Sequence, residues 1–143
     1  MKDTLLDNLH MADINPRICG VEACAPGHSF GPAGREYFLL HYVVRGKGIF
    51  RRGKREYTLQ AGEIFVIRPG EVTYYEADMR DPWEYMWVAF DGFDVLEILR
   101  RTGLCGAAGA GRAAPARRAA KFFAHCRLRR YACKGVAHLR AAL

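Results

Sequence analysis

From Tyr37 onward the hydrophobic positions fall into short runs separated by turn residues. Tyr37-Phe-Leu-Leu-His-Tyr-Val-Val44 is dense in β-branched and aromatic side chains, which predicts a largely buried strand. Arg45-Gly46-Lys47-Gly48 reads as a turn, and Ile49–Arg52 and Arg55–Leu59 as the arms of a hairpin. The Gly53-Lys54 loop between those arms has its glycine first, as a type II′ turn prefers. Gln60–Glu63 is a turn and Ile64-Phe-Val-Ile67 another buried strand. Pro69-Gly70 is a strong turn signal before Val72-Thr-Tyr-Tyr-Glu76. A charged loop, Ala77–Pro82, leads into a last strand, Trp83–Phe90. Short strands at close spacing with Gly and Pro turns predict an antiparallel sandwich or barrel.

The flanks carry a different texture. Gly92–Arg101 predicts a helix, capped by Asp91 or Asp94 and ending on Arg100 and Arg101, where the helix dipole favours cations. Residues 19–36 hold four Gly and two Pro and read as irregular with short extended pieces. Residues 1–18 read as an N-terminal arm. Its Leu5, Leu6 and Leu9 suit either one face of a helix or a flexible segment, and Asn15-Pro16 marks a turn.

Composition changes the picture at one point. The chain has 143 residues, half of them hydrophobic and 26% charged, which suits one globular domain. Its net charge of +7 suggests a nucleic-acid partner, yet residues 105–143 carry nine Lys or Arg and no acid, while residues 1–104 balance to −2. The basicity therefore belongs to an Ala/Arg-rich tail that opens on the near low-complexity Cys105-Gly-Ala-Ala-Gly-Ala-Gly-Arg-Ala-Ala-Pro115. An abrupt shift to Ala, Arg, Gly, Pro and Cys at Leu104 points to an out-of-frame or disordered segment. A genuine basic arm that grips phosphate backbones by charge is the alternative. No apolar run is long enough for a membrane helix, and the N-terminus lacks a signal-peptide pattern, so a cytoplasmic protein without membrane contact is expected. Five cysteines at irregular spacing argue against a disulfide framework and for reduced thiols at Cys19 and Cys24.

Three ordered motifs carry a family resemblance. They are Leu39-Leu-His-Tyr-Val-Val-Arg-Gly-Lys-Gly48, Tyr57-Thr-Leu-Gln-Ala-Gly-Glu-Ile-Phe-Val-Ile-Arg-Pro-Gly-Glu71 and Asp81-Pro-Trp-Glu-Tyr-Met-Trp-Val-Ala-Phe-Asp-Gly92. Together they resemble the N-terminal, cupin-like sensing domain of AraC-type transcription regulators. The resemblance implies an all-β fold: a double-stranded β-helix or jelly-roll barrel over residues 19–104, followed by an α-helix and the tail of residues 105–143. It also implies a small-molecule ligand, often a sugar, held inside the barrel beneath the N-terminal arm. No helix-turn-helix pair is legible after Leu104, so the resemblance implies a sensor cut short of its DNA reader, with no specific DNA binding by this chain alone. A homodimer is left open.

A sugar site needs an aromatic platform for the C–H face of the ring and polar groups for its hydroxyls. By alignment to the family motif, Tyr75 and Trp87 match pocket positions. Tyr85 and Trp87 are two apart and so share one face of a strand. Arg35 precedes the first strong strand, within reach of the barrel mouth. Tyr75, Tyr85, Trp87 and Arg35 are thus the expected ligand-binding residues, although an aromatic pair at period two also fits plain core packing. Trp83 reads as packing at a loop end, His41 as a half-buried strand residue, and Glu63, Glu71 and Glu84 as solvated turn or rim residues.

Catalysis is not expected. Metal-binding cupin enzymes place paired histidines after the first glycine motif, and Gly46–Glu56 contains none. The later ligand position falls near Thr73, a poor metal donor. No metal or cofactor is expected, and no nucleophile–base constellation is legible. The rival functions are a stand-alone metal-free cupin, working as an enzyme or sugar-binding accessory, and a non-specific nucleic-acid binder using the tail.

Overall fold

The computed structural model describes residues 2–5, 14–104 and 110–111. Ten strands and one helix follow in order: β1 (Lys2–Leu5), β2 (Asn15–Ala23), β3 (Ser29–Ala33), β4 (Phe38–Arg45), β5 (Lys47–Arg52), β6 (Arg55–Gln60), β7 (Ile64–Ile67), β8 (Thr73–Ala77), β9 (Glu84–Asp91), α1 (Val95–Arg101) and β10 (Ala110–Gly111). They form a six-stranded sheet, β1-β2-β9-β4-β7-β10, and a four-stranded sheet, β3-β8-β5-β6. Neighbouring strands pair antiparallel throughout both sheets.

Alternation within the strands builds two cores. Leu39, Val43, Phe65, Ile67, Tyr85 and Ala89 of the larger sheet form one cluster with Phe50, Leu59, Tyr75 and Ala77 of the smaller one, between the sheets. The intervening positions Leu40, Tyr42, Ile64, Val66, Met86, Val88 and Phe90 face the other way, where Val95, Ile98 and Leu99 of α1 cover them. Both faces of the central strands are therefore dry, which explains why Tyr37–Val44 shows no polar alternation. The arrangement is the two-sheet jelly roll implied by the family resemblance.

The flanks depart from their expected texture in three places. β2 is one continuous strand of nine residues, starting at Asn15 and running across residues 18 and 19, where the arm was expected to end. β1 on one side and β9 on the other supply its hydrogen bonds, so pairing overrides its Pro and Gly content. Leu5 lies in β1 rather than on a helix. Asp94 occupies the N-cap of α1 but makes no side-chain capping hydrogen bond. The helix is held instead by its buried face and by Glu97, which accepts hydrogen bonds from Arg100 Nε and Nη2 at 2.8 and 2.9 Å.

Cys24 is a buried free thiol, whereas Cys19 is disulfide-bonded, which corrects the expectation of reduced thiols at both positions. Leu6, Leu9 and the tail beyond Leu104, apart from β10, lie outside the described residues, and with them the questions of a frameshift, a basic arm and arm closure. No helix among the described residues is long and apolar enough to cross a membrane.

Candidate functional site

Strand register sets the interior in rows. On the larger sheet, Tyr85 stands between Glu22 of β2 and Val43 of β4. One step along β9, Trp87 stands between Gly20 and His41, and His41 in turn pairs with Phe65 of β7. On the smaller sheet, Tyr75 lies between Phe30 of β3 and Phe50 of β5. Period-two alternation puts Tyr85 and Trp87 on one face of β9, and Tyr75 of the smaller sheet packs in the same cluster.

The rings there form a contact network with His41 at its centre. The His41 imidazole stacks on Phe65 at 4.3 Å, meets Tyr85 edge-on at 4.9 Å and tilts against Tyr75 at 5.0 Å. Tyr75 and Tyr85 pack edge to face at 6.2 Å. Phe50 and Trp83 close the cluster against Phe65, at 4.7 and 5.8 Å. Trp83 is fully buried there, as its structural reading implies.

Trp87 is half-buried and packs on this core from one side. Its ring lies flat over Gly20, where a Cβ would stand 2.7 Å from Trp87 Cε2. Only glycine leaves that room. A second glycine, Gly46, has φ +69° and would drive a Cβ to 2.4 Å from the Pro82 carbonyl oxygen, so the tight turn into β5 depends on it.

Arg35 follows β3 and turns inward. Its guanidinium carbon sits 4.2 Å above the Phe30 ring, and Phe30 stacks on Tyr75 at 5.6 Å. Arg35 also bonds the Tyr75 side chain, and its charge reaches His41. The four residues expected from sequence thus divide. Arg35, Tyr75 and Tyr85 are linked by direct contact, and Trp87 joins them through its register with His41.

Sequence reasoning missed the polar members of this interior. His41 is fully buried rather than half-buried, because β4 is covered on both faces. Glu22 is buried too, and its Oε2 accepts the Tyr85 hydroxyl at 3.0 Å. His28 Nε2 lies 3.4 Å from the other carboxylate oxygen. The spacing Glu22-x-Cys24-x-x-x-His28 around Pro26-Gly27 was the signal available for that group.

Burial keeps most of the titratable interior uncharged. Desolvation pushes the His41 imidazole down to about 3, reinforced by the nearby Arg35 charge, so the ring is neutral at neutral pH. Desolvation likewise pushes the Tyr75 hydroxyl up to about 12, opposed by Arg35. Tyr85 is raised far above the ordinary tyrosine range, first by burial and then by Tyr75, Cys24 and Glu22. The site therefore presents a neutral imidazole and two neutral phenols beside the Arg35 and Glu22 side chains. Two of its buried atoms, Arg35 Nε and His41 Nδ1, have no hydrogen-bond partner among the described residues. Leaving such an atom unpaired costs about 1–3 kcal/mol.

The fold agrees with what the chain is similar to. The profile of the AraC-like ligand binding domain matches residues 15–125, and the chain belongs to that family. It is 36% identical over 92 residues to the Msm operon regulatory protein of Streptococcus mutans, covering 64% of this chain and 33% of that protein. It is 38% identical over 78 residues to the raffinose operon transcriptional regulatory protein of Pediococcus pentosaceus, covering 53% of this chain and 28% of the relative. The chain spans about a third of the length of these curated relatives. Among solved structures, the protein YhaK from Escherichia coli shares the fold, with a TM-score of 0.55 at 18% identity over 65% of this chain and 45% of that one.

Proposed function

We propose that this domain senses a saccharide on behalf of an operon-controlling transcription regulator, and that Arg35, Tyr75, Tyr85 and Trp87 hold the sugar. One observation carries the proposal. Inside a shell of stacked rings, Arg35 Nε and His41 Nδ1 are buried without partners among the described residues. Sugars present the complementary chemistry, with C–H faces for aromatic rings and hydroxyls for isolated donors and acceptors. The raffinose operon relative, whose name concerns a sugar, gives independent support.

In this account Trp87 supplies the platform, because its half-buried ring packs on the core beside Gly20. Arg35 grips a hydroxyl or carboxylate oxygen, and Tyr75 and Tyr85 orient the remaining hydroxyls. The domain binds and does not catalyse. Its output follows from differential affinity: a ligand that prefers one conformation of the regulator shifts the population toward it. Such a regulator works in the cytoplasm, where the operon is.

Tryptophan emission tests this, since Trp83 and Trp87 are the only two tryptophans. A panel of mono-, di- and trisaccharides is titrated into the full chain. At least one sugar gives a saturable emission change that Trp87→Phe removes while leaving the circular dichroism intact. Saturable binding with the same signal in Trp87→Phe would take Trp87 out of the site, and a flat response to the whole panel would end the saccharide proposal.

A further inference from the structure

Glu22, Cys24 and His28 converge at the seam between the two sheets. Glu22 is in β2 and Cys24 follows it two residues on, so both side chains leave the same face of the chain. The chain then turns back, with the His28 amide donating to the Ala25 carbonyl at 3.0 Å. Two further backbone bonds fix the ends of this turn. The Cys24 amide donates to the Trp83 carbonyl at 3.1 Å, and the Ala77 amide to the His28 carbonyl at 2.9 Å. One donor atom from each of the three side chains lies within 4.8 Å of the others.

We infer that Glu22, Cys24 and His28 form a binding site for a borderline transition-metal dication, Zn2+ above all. The donor set selects the metal class. A thiolate, an imidazole and a carboxylate suit Zn2+ and its Co2+ surrogate, whereas Ca2+ and Mg2+ take oxygen ligands. With metal–sulfur and metal–nitrogen bonds of about 2.3 and 2.0 Å, donors around a tetrahedral ion stand roughly 3.3–3.6 Å apart. The three donors already stand within 4.8 Å of one another on a backbone held by the hydrogen bonds of this turn. The charges also balance: the dication meets one carboxylate and one thiolate, and the Cys24 thiol proton leaves to solvent as the metal–sulfur bond forms.

The surroundings add an orienting partner. The Tyr85 hydroxyl donates to Glu22 Oε2 at 3.0 Å, while Oε1 is the oxygen turned toward His28 Nε2. A hydrogen bond of this kind, made to the oxygen that faces away from the metal, fixes a ligating carboxylate and typically changes metal affinity about 10- to 100-fold. The site is distinct from the barrel positions where cupin enzymes hold their metal, which follow Gly46 and Pro69 and carry no histidine here. It does not rest on the saccharide proposal, because no sugar contact is needed to assemble it. Since β2 belongs to one sheet and His28 opens the way into the other, the ion would clip the seam shut.

Full-length protein dialysed against EDTA is titrated with Co2+ and then with Zn2+. One equivalent of Co2+ produces a thiolate-to-cobalt charge-transfer band, and Zn2+ abolishes it. The exposed His28→Ala variant keeps its fold and binds Co2+ at least about tenfold more weakly. Cys24→Ser loses the band, and Tyr85→Phe weakens binding. The assignment is overturned by no stoichiometric binding, by unchanged affinity in His28→Ala, or by a charge-transfer band of full intensity in Cys24→Ser.

Discussion

His41 shows how a strand's surroundings rewrite a side chain's chemistry. Its ring is buried by Phe65, Tyr75 and Tyr85, and desolvation lowers its proton affinity to about 3 from an ordinary value of 6.5. The unfolded chain therefore binds a proton between pH 6.5 and 3 that the folded chain refuses. The His41 contribution to stability is complete above pH 6.5 and is lost as the pH falls, by about 1.4 kcal/mol per unit as an upper slope. Urea denaturation between pH 7 and 4 should show this loss. His41→Phe should flatten the His41 part of the slope, and an unchanged slope would place the acid sensitivity elsewhere. Gly20 sets a second expectation. Gly20→Ala places a methyl 2.7 Å from the Trp87 ring, so the ring must move, at a cost of about 1–3 kcal/mol and with a visible shift in tryptophan emission. An emission spectrum identical to wild type would show that the strand yields instead. At this scale period two was enough to put Tyr85 and Trp87 on one face of β9. It did not reveal the depth of His41 or the role of Glu22, because burial on both faces of a strand comes from neighbours that are remote in sequence.

The strands with clear punctuation were legible. Gly53-Lys54 and Pro69-Gly70 mark turns at which β5, β6, β7 and β8 begin or end within a residue or two of expectation. β2 was not legible, because Pro16, Gly20 and Cys19 carry weak strand signals and only pairing with β1 and β9 makes them extended. Asp94 stands at the N-cap of α1, as the sequence suggests, but makes no side-chain capping bond. An Asp in the right place is permissive, but the buried stripe of Val95, Ile98 and Leu99 holds the helix. Leu99→Ala should accordingly cost about 2–5 kcal/mol in chemical denaturation, whereas Leu96→Ala, on the exposed side, should stay within about 0.5 kcal/mol of wild type. Equal costs would mean that α1 does not pack on the sheet as described. Because α1 covers the outer core, a folded Leu99→Ala protein should still bind ligand.

The whole molecule joins two sheets around an interior that is aromatic at its centre and polar along one edge. The outer core beneath α1 provides stability, and the inner one surrounds Arg35, Glu22 and His41 with rings. That division lets the inner face carry unpaired polar atoms without unfolding the barrel. The jelly-roll class was readable from three motifs in order, since turn glycines and buried strands at matching separations constrain topology. The tail beyond Leu104 gave a composition break and little else, and the family match extends across that break to residue 125. The central claim, a saccharide held within the inner shell, is tested most directly by thermal denaturation of the full chain against a saccharide panel. Ligand bound only by the folded state adds about 2.7 kcal/mol at a hundredfold excess over Kd, a rise of several degrees in Tm. The account predicts such a rise for at least one sugar in wild type, with loss of the rise in both Trp87→Ala and Arg35→Ala. A rise of equal size in both folded variants, or none for any sugar in wild type, would contradict it.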